Sequence, residues 1–196
     1  MLIALSVEQF SQRPRNDVDG IRALPITHGD DLRRFAGCFP TGVAVVTTKD
    51  GEGRAHGVTM NALTSLSLDP PLYLMCFQKH SQTLTAILKN SDRSFCINFL
   101  SAHQEEVAYA FASRARDGSA SVKYALCETG APIIDGVTAA CEGRLVSTYS
   151  GGDHTIAVGQ IDRVHLTERS PLVFHRGRYA RLHSSPVRDF LGEIEF

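Results

Sequence analysis

The stretch after Val137 restricts the fold more than any other. From Val137 to Tyr149 the side chains alternate, with Val137, Ala139, Cys141, Gly143 and Leu145 on one parity and Glu142, Arg144 and Val146 on the other. A period of two belongs to a strand with two different faces. Ser150-Gly151-Gly152-Asp153 breaks the run as a turn, and Thr155 to Leu166 is a second long strand candidate. Leu172–His175 then returns through Arg176-Gly177 into Arg178–Leu182 as a hairpin. Segments at this spacing pair with their neighbours in sequence. With only two or three helical patterns elsewhere, the chain reads as mainly β with flanking helices, arranged as an antiparallel barrel.

Upstream, Asp30 or Asp31 is placed to cap a helix through Leu32–Ala36, which stops at Gly37. Val43–Thr48 is a β-branched strand, and Lys49-Asp50-Gly51 turns the chain back toward Gly57-Val58-Thr59. Gly51-Glu52-Gly53-Arg54-Ala55-His56-Gly57 mimics a dinucleotide fingerprint, but its third glycine is one residue late and it leads into a strand, so it is read as a decoy. Ser94–Phe99 alternates as a half-buried strand, with Phe95, Ile97 and Phe99 on one face and Asn98 on the other. His103–Ala112 is a helix with Val107 and Phe111 inward, residues 113–127 read as loop, and Ala131–Ile134 lies against the core.

Residues 1–28 contain no long apolar region followed by a small-residue cleavage site, so no secretory signal is expected. They read as a mobile or loosely docked extension with a short helix near Val7–Phe10, leaving 29–196 as one domain. A total of 20 Lys and Arg against 21 Asp and Glu gives a net charge of −1, which offers no attraction to nucleic acid or an anionic membrane. No apolar window reaches the length of a membrane-spanning helix. Cys38, Cys76, Cys96, Cys127 and Cys141 include no C-x-x-C pair, so a disulfide framework or zinc site is not expected, and a reducing cytoplasm fits.

Chemistry concentrates between Gly57 and Thr83. Thr59 to Ser67 supplies hydroxyls, a carboxamide and backbone groups with little bulk and no charge, a surface on which a flat heterocycle can approach the main chain. Asp69-Pro70-Pro71 enforces an extended turn, and Leu72–Phe77 is a short apolar strand expected at the centre of its sheet. Ser81 then precedes Leu84, Ile87 and Leu88, one apolar helix face, and is the N-cap. Such a helix start is either simply capped or, with Ser81 and Thr83 added, a seat for phosphate. Glu or Gln at position 84 would complete a capping box, but Leu84 stands there.

Phe39–Thr48, the run from Thr59 to Leu72, Ser81-Gln82-Thr83, Phe95–Leu100 and Gly152–Ile156, in this order between Leu32 and Leu182, resemble the short-chain flavin reductases of two-component flavin-dependent monooxygenases. The resemblance implies an FMN-binding type of split β-barrel that forms a homodimer. It also implies NAD(P)H-dependent reduction of FMN or FAD, with the reduced flavin passed to a partner monooxygenase. It places flavin along Thr59, Asn61, Ala62, Ser65, Leu66 and Ser67 with Cys76 beneath, the phosphate near Ser81 and Thr83, and Asn98 and Phe99 completing the wall. His154, at a turn tip, matches the histidine on the nicotinamide side. Its role is to position the nicotinamide, and it cannot accept a hydride.

Several residues keep two readings. Asn98 either bonds a neighbouring strand or touches cofactor, Thr41 either starts its strand or touches flavin, and Arg176, Arg178 and Arg181 are either solvated or meet cofactor phosphates. Tyr179 could approach the site from the same hairpin. Hydride transfer between stacked rings needs positioning and donors for developing charge, and no acid–base dyad. The segments concerned are nearly free of carboxylates, and no G-x-S-x-G or H-E-x-x-H pattern points to hydrolysis. A flavin-retaining electron-transfer module without nicotinamide turnover is the alternative. FMN versus FAD and NADH versus NADPH stay open at this point.

Overall fold

A computed structural model of the chain describes residues 26, 28–112 and 121–182. In chain order the elements are α1 (Gly29–Ala36), β1 (Thr41–Gly42), β2 (Ala44–Lys49), β3 (Ala55–Met60), β4 (Leu63–Leu68), β5 (Pro71–Gln78), α2 (Gln82–Lys89), β6 (Ser94–Phe99), α3 (Glu105–Ala112), β7 (Tyr124–Leu126), β8 (Pro132–Ile134), β9 (Ala139–Gly151), β10 (His154–Leu166), β11 (Leu172–His175) and β12 (Arg178–Arg181). α1 belongs to one compact unit, and Gly37–Leu182 form another. The expected helix at Val7–Phe10 lies outside the described residues, as do residues 113–120 and 183–196.

Seven strands pair antiparallel in the order β3-β2-β6-β9-β10-β5-β4. Val58 and Met60 of β3, at one edge, pack against the same buried cluster as Leu63 of β4, at the other edge. The sheet therefore closes around one core of Val46, Met75, Phe77, Ile87, Phe95 and Ile97, and Asn61-Ala62 crosses the seam between the edge strands. This is the expected antiparallel barrel. Within it, the ring of Phe95 occupies the space over Gly159, where a Cβ would come within 2.3 Å of the ring.

A second core lies on the outer face of β2 and β6, where Val45, Cys96, Leu100 and Ala108 meet Ile134, Val137 and Leu172. It is covered by α3, the two-stranded β7–β8 ribbon and the three-stranded sheet β1-β11-β12. β6 is thus buried on both faces instead of one, because each parity meets its own core. Hairpins β2–β3, β9–β10 and β11–β12 fall where the turn residues place them.

Several expectations change. β5 is paired on both sides but is only one strand from the edge. Leu88 of α2 is 44% exposed, and Ala86 joins Leu84 and Ile87 on the buried face. Neither Asp30 nor Asp31 is the N-cap of α1, which already begins at Gly29; Asp31 lies in the first turn and its carboxylate reaches back to accept the His28 N–H at 3.3 Å. The segment read as loop up to Cys127 contains β7, which is paired to β8. Glu142 is buried although its parity carries exposed Arg144 and Val146.

Candidate functional site

A cavity of about 780 Å³ opens at the seam of the barrel, within the size range of ligand sites. One wall is β3 with Asn61 and Ala62, and another is the end of β5 with Cys76 and Gln78. The start of α2 adds Ser81, Gln82 and Thr83, the β9–β10 tip adds His154, and Phe111, Tyr124, Pro132 and Ile134 close the far side. Backbone pairing brings these together. The Cys76 N–H donates to Ala62 O at 2.9 Å, carrying the β4–β5 pairing up to the seam, and the Lys79 N–H donates to Asp153 O at 3.2 Å, which fixes the hairpin tip beside the turn into α2.

Ser81 is the N-cap of α2, with extended backbone, and its hydroxyl oxygen accepts the Leu84 N–H at 3.2 Å. The hydroxyl proton remains to be donated elsewhere, so capping and holding an anion are compatible roles for this serine. The helix start adds the positive end of its dipole. The Asn61 carboxamide donates to Thr41 Oγ1 at 3.2 Å, and Thr59 Oγ1 donates to Ala108 O at 2.7 Å, tying β3 to α3. Burial pushes the Cys76 thiol up, so it stays neutral at the cavity floor.

His154 Nδ1 lies 2.7 Å from Asp153 Oδ1. The hydrogen bond with this nitrogen holds the Asp153 carboxyl below its usual range, and Nε2, the other ring nitrogen, takes no part in it. His56, on the opposite wall, has Nε2 at 3.0 Å from Asp50 Oδ2. Asp50 also accepts the backbone N–H groups of Glu52 and Arg54 at 3.0 Å, and the hydrogen bond from His56 leads the causes that keep its carboxyl well below the usual range. The decoy segment is therefore a turn built on Asp50.

Among the described residues, none that lines the cavity is a carboxylate, while Arg54 and three histidines (His56, His80, His154) are present. A neutral, hydroxyl-bearing floor with a helix start at one end fits a flat heterocycle carrying a phosphate, the chemistry of a flavin nucleotide.

The structure brings Thr59, Asn61, Ala62, Cys76, Ser81, Thr83 and His154 into one cavity. Thr41 stands behind it, bonded to Asn61. Ser65, Leu66 and Ser67 lie outside. β4 runs antiparallel to β5, with Leu63 opposite Met75 and Ser67 opposite Leu72, so each step along it leads away from the end of β5 that feeds α2. Asn98 is a strand-to-strand contact. It is fully buried, donates to Val45 O at 3.1 Å and Thr47 Oγ1 at 3.0 Å, and accepts the Ile134 N–H at 2.8 Å. Phe99 faces the barrel core, its ring 6.2 Å from that of Tyr73. Tyr179 is outside too, stacked edge-on with Tyr109 at 5.2 Å. Arg178 and Arg181 are exposed.

His56, Gln78, His80, Gln82, Phe111 and Tyr124 also line the cavity. Gln78 and Gln82 flank the Ser81 cap and follow from it by proximity. His56 follows from the β2–β3 register, opposite Thr48. Tyr124 had no signal, because its three-residue strand sits in a polar stretch.

Residues 36–183 match the family model described as flavin reductase like domain. The chain is 41% identical over 159 residues to the NADH-dependent FAD reductase of Streptomyces globisporus, covering 76% of this chain and 84% of that one. It is 37% identical over 170 residues to the reductase subunit of a flavin-dependent monooxygenase of Rhodococcus jostii, covering 82% and 86%. The solved structure of a Streptomyces globisporus NADH:FAD oxidoreductase in complex with NAD and FAD fragments superposes with a TM-score of 0.78 at 34% identity, over 86% of this chain and 100% of that one.

Proposed function

The chain belongs to the flavin reductase-like domain family, and from that premise we propose that it transfers a hydride from NADH or NADPH to FMN or FAD and hands the reduced flavin to a partner monooxygenase. The observation that carries this reading is the cavity that joins Asn61-Ala62, the start of α2 and His154, with no carboxylate among the described residues that line it. The relatives named for NADH-dependent FAD reduction and for service as a monooxygenase reductase subunit support the two halves of the reaction.

When bound, flavin and nicotinamide supply the bond chemistry between them, a hydride passing from one ring to the other. The residues of this chain orient and neutralise. Ser81 and Thr83 with the first N–H groups of α2 hold the phosphate, and the small side chains of Asn61 and Ala62 let a ring lie against the backbone at the seam. Thr41 holds the Asn61 carboxamide in one orientation, which keeps a donor fixed where negative charge develops. Thr59 keeps α3 against β3, and with it Phe111 as part of the wall that excludes water. His154, its Nδ1 tied to Asp153, offers Nε2 to the nicotinamide carboxamide.

Release of reduced flavin calls for moderate binding, with a Kd on the order of 1 μM, about −8 kcal/mol. The exposed apolar side chains of Tyr149, Val164 and Leu166 on β9 and β10 support a homodimer, with a second copy covering that face. Among the described residues no helix is long and apolar enough to cross a membrane, and the five free cysteines support a cytoplasmic location.

Anaerobic rapid mixing of the flavin-loaded protein with NADH or NADPH tests the activity. Loss of the oxidised-flavin absorbance within one catalytic cycle is expected. A flavin spectrum that does not change with either nucleotide would replace the reductase with an electron-transfer module.

A further inference from the structure

The proposed reaction leaves one end of the cavity without a task. Its residues gather where Asn61-Ala62 and the end of β5 meet the start of α2, but the wall continues back along β3 to His56 and Arg54. From Met60 to His56 the strand covers about 13 Å at the usual rise per residue. As an edge strand, β3 also turns the main-chain N–H and C=O of alternate residues away from β2.

Contacts between distant segments assemble that end. Gly57 lies opposite Thr47 in the β2–β3 pairing, the Thr47 hydroxyl donates to Pro132 O of β8, and Tyr124 of β7 is paired with Ile134 on the same ribbon. Phe111, from the last turn of α3, sits over Gly57. Two aromatic side chains from separate elements thus border the cavity. Tyr124 is 48% exposed, and among the described residues neither ring stacks on another. An aromatic ring open to a cavity is a platform for a heteroaromatic base.

Among the described residues, Arg54 is the one lysine or arginine that lines the cavity. Its Nε donates to Asp50 Oδ2 at 2.9 Å and its Nη2 to Glu52 Oε2 at 3.1 Å, and neither contact uses Nη1. Asp50 is occupied within the turn, where it accepts the Glu52 and Arg54 N–H groups and meets the His56 ring, and neither Asp50 nor Glu52 lines the cavity. The two carboxylates therefore hold the guanidinium by two nitrogens and leave the third for a phosphate oxygen.

We infer that this end seats the adenosine phosphate moiety of a dinucleotide, with Tyr124 stacked on the adenine and Arg54 Nη1 on the adjoining phosphate. FAD carries this moiety, as do NADH and NADPH, whereas FMN and nicotinamide mononucleotide lack it. Which of the dinucleotides supplies it rests on the reductase reading above.

The test compares Tyr124→Ala, Tyr124→Phe and Arg54→Gln with wild type. FAD and FMN are titrated in one arm, and NAD+ and oxidised nicotinamide mononucleotide, added to the FMN-loaded protein, in the other. Tyr124→Ala and Arg54→Gln should each weaken a dinucleotide about tenfold and leave its mononucleotide within about twofold, while Tyr124→Phe, which keeps the ring, stays near wild type. Loss for FAD but not FMN assigns the seat to the flavin, and loss for NAD+ but not the mononucleotide assigns it to the nicotinamide dinucleotide. Equal loss for a dinucleotide and its mononucleotide, no loss for either dinucleotide, or a Tyr124→Phe defect as large as that of Tyr124→Ala overturns the seat. Melting temperatures identify a variant that has not folded, and Arg54→Gln reads the same contrast if Tyr124→Ala is that variant. Unchanged dinucleotide affinities in a protein whose FMN is reduced by NADH overturn the seat and leave the reductase standing. Selective loss of FAD affinity in a protein that NADH does not reduce has the opposite meaning.

Discussion

Phe111 of α3 lies so close over Gly57 of β3 that a Cβ at Gly57 would come within 2.6 Å of both Cδ1 and Cε1 of the ring. Both residues line the cavity, so the absence of a side chain at one sets the position of the other. Gly57→Ala is expected to displace Phe111 from the wall, destabilising the protein by about 1–3 kcal/mol and weakening flavin binding. Thermal unfolding and fluorescence titration with FMN check the two effects together.

Asn98 separates a wall residue from the frame behind the wall. Asn98→Ala removes partners from the Ile134 N–H and the Val45 carbonyl, with an expected loss of about 2–4 kcal/mol of stability. At temperatures where the variant stays folded, its flavin affinity should match wild type, because the carboxamide does not line the cavity and meets it through Thr47, Pro132 and Ile134. A selective loss of flavin affinity, with the melting temperature unchanged, would return Asn98 to the cofactor site.

This distinction shows what the sequence could carry. Ser81 was legible as a cap because the cap residue and the apolar face behind it are local signals, and the hairpins were legible from their turns and alternation. Whether Asn98 faced a strand or a ligand depended on β2 and β8, far away in the chain, and no local pattern encodes that. Ser65 to Ser67 fall outside the cavity for a related reason. The hydroxyl-rich run is continuous in sequence, but once Asn61-Ala62 crosses the seam, the strand carries these residues away from α2.

Glu142 was hidden as well, since its parity otherwise faces solvent. Burial raises its carboxyl, but the Thr129 N–H at 3.0 Å, the His165 ring at 2.7 Å and the Cys127 thiol more than offset this, and the net direction is down. A depressed folded-state value gives stability that is complete above the unfolded range of about 4.3 and is lost as the pH falls through the folded value. Glu142→Gln should therefore be less stable than wild type at neutral pH by about 1–3 kcal/mol, with the difference shrinking in acid. Urea unfolding at several pH values between neutral and acid checks this. A difference that grows in acid contradicts it.

His154→Ala removes the ring held by Asp153. NADH affinity in the flavin-loaded protein should fall about tenfold, equivalent to about 1.4 kcal/mol, while flavin affinity stays unchanged. Titration with a non-reducing nicotinamide analogue separates these effects. Unchanged analogue affinity removes His154 from the nicotinamide side.

The most direct test is to compare riboflavin, FMN and FAD binding to the wild type and to Ser81→Ala combined with Thr83→Ala. If the phosphate sits on the start of α2, the double variant should bind FMN at least tenfold more weakly and leave riboflavin affinity within about twofold. Equal loss for riboflavin and FMN, or no loss for either, would contradict the placement of the flavin nucleotide in this cavity.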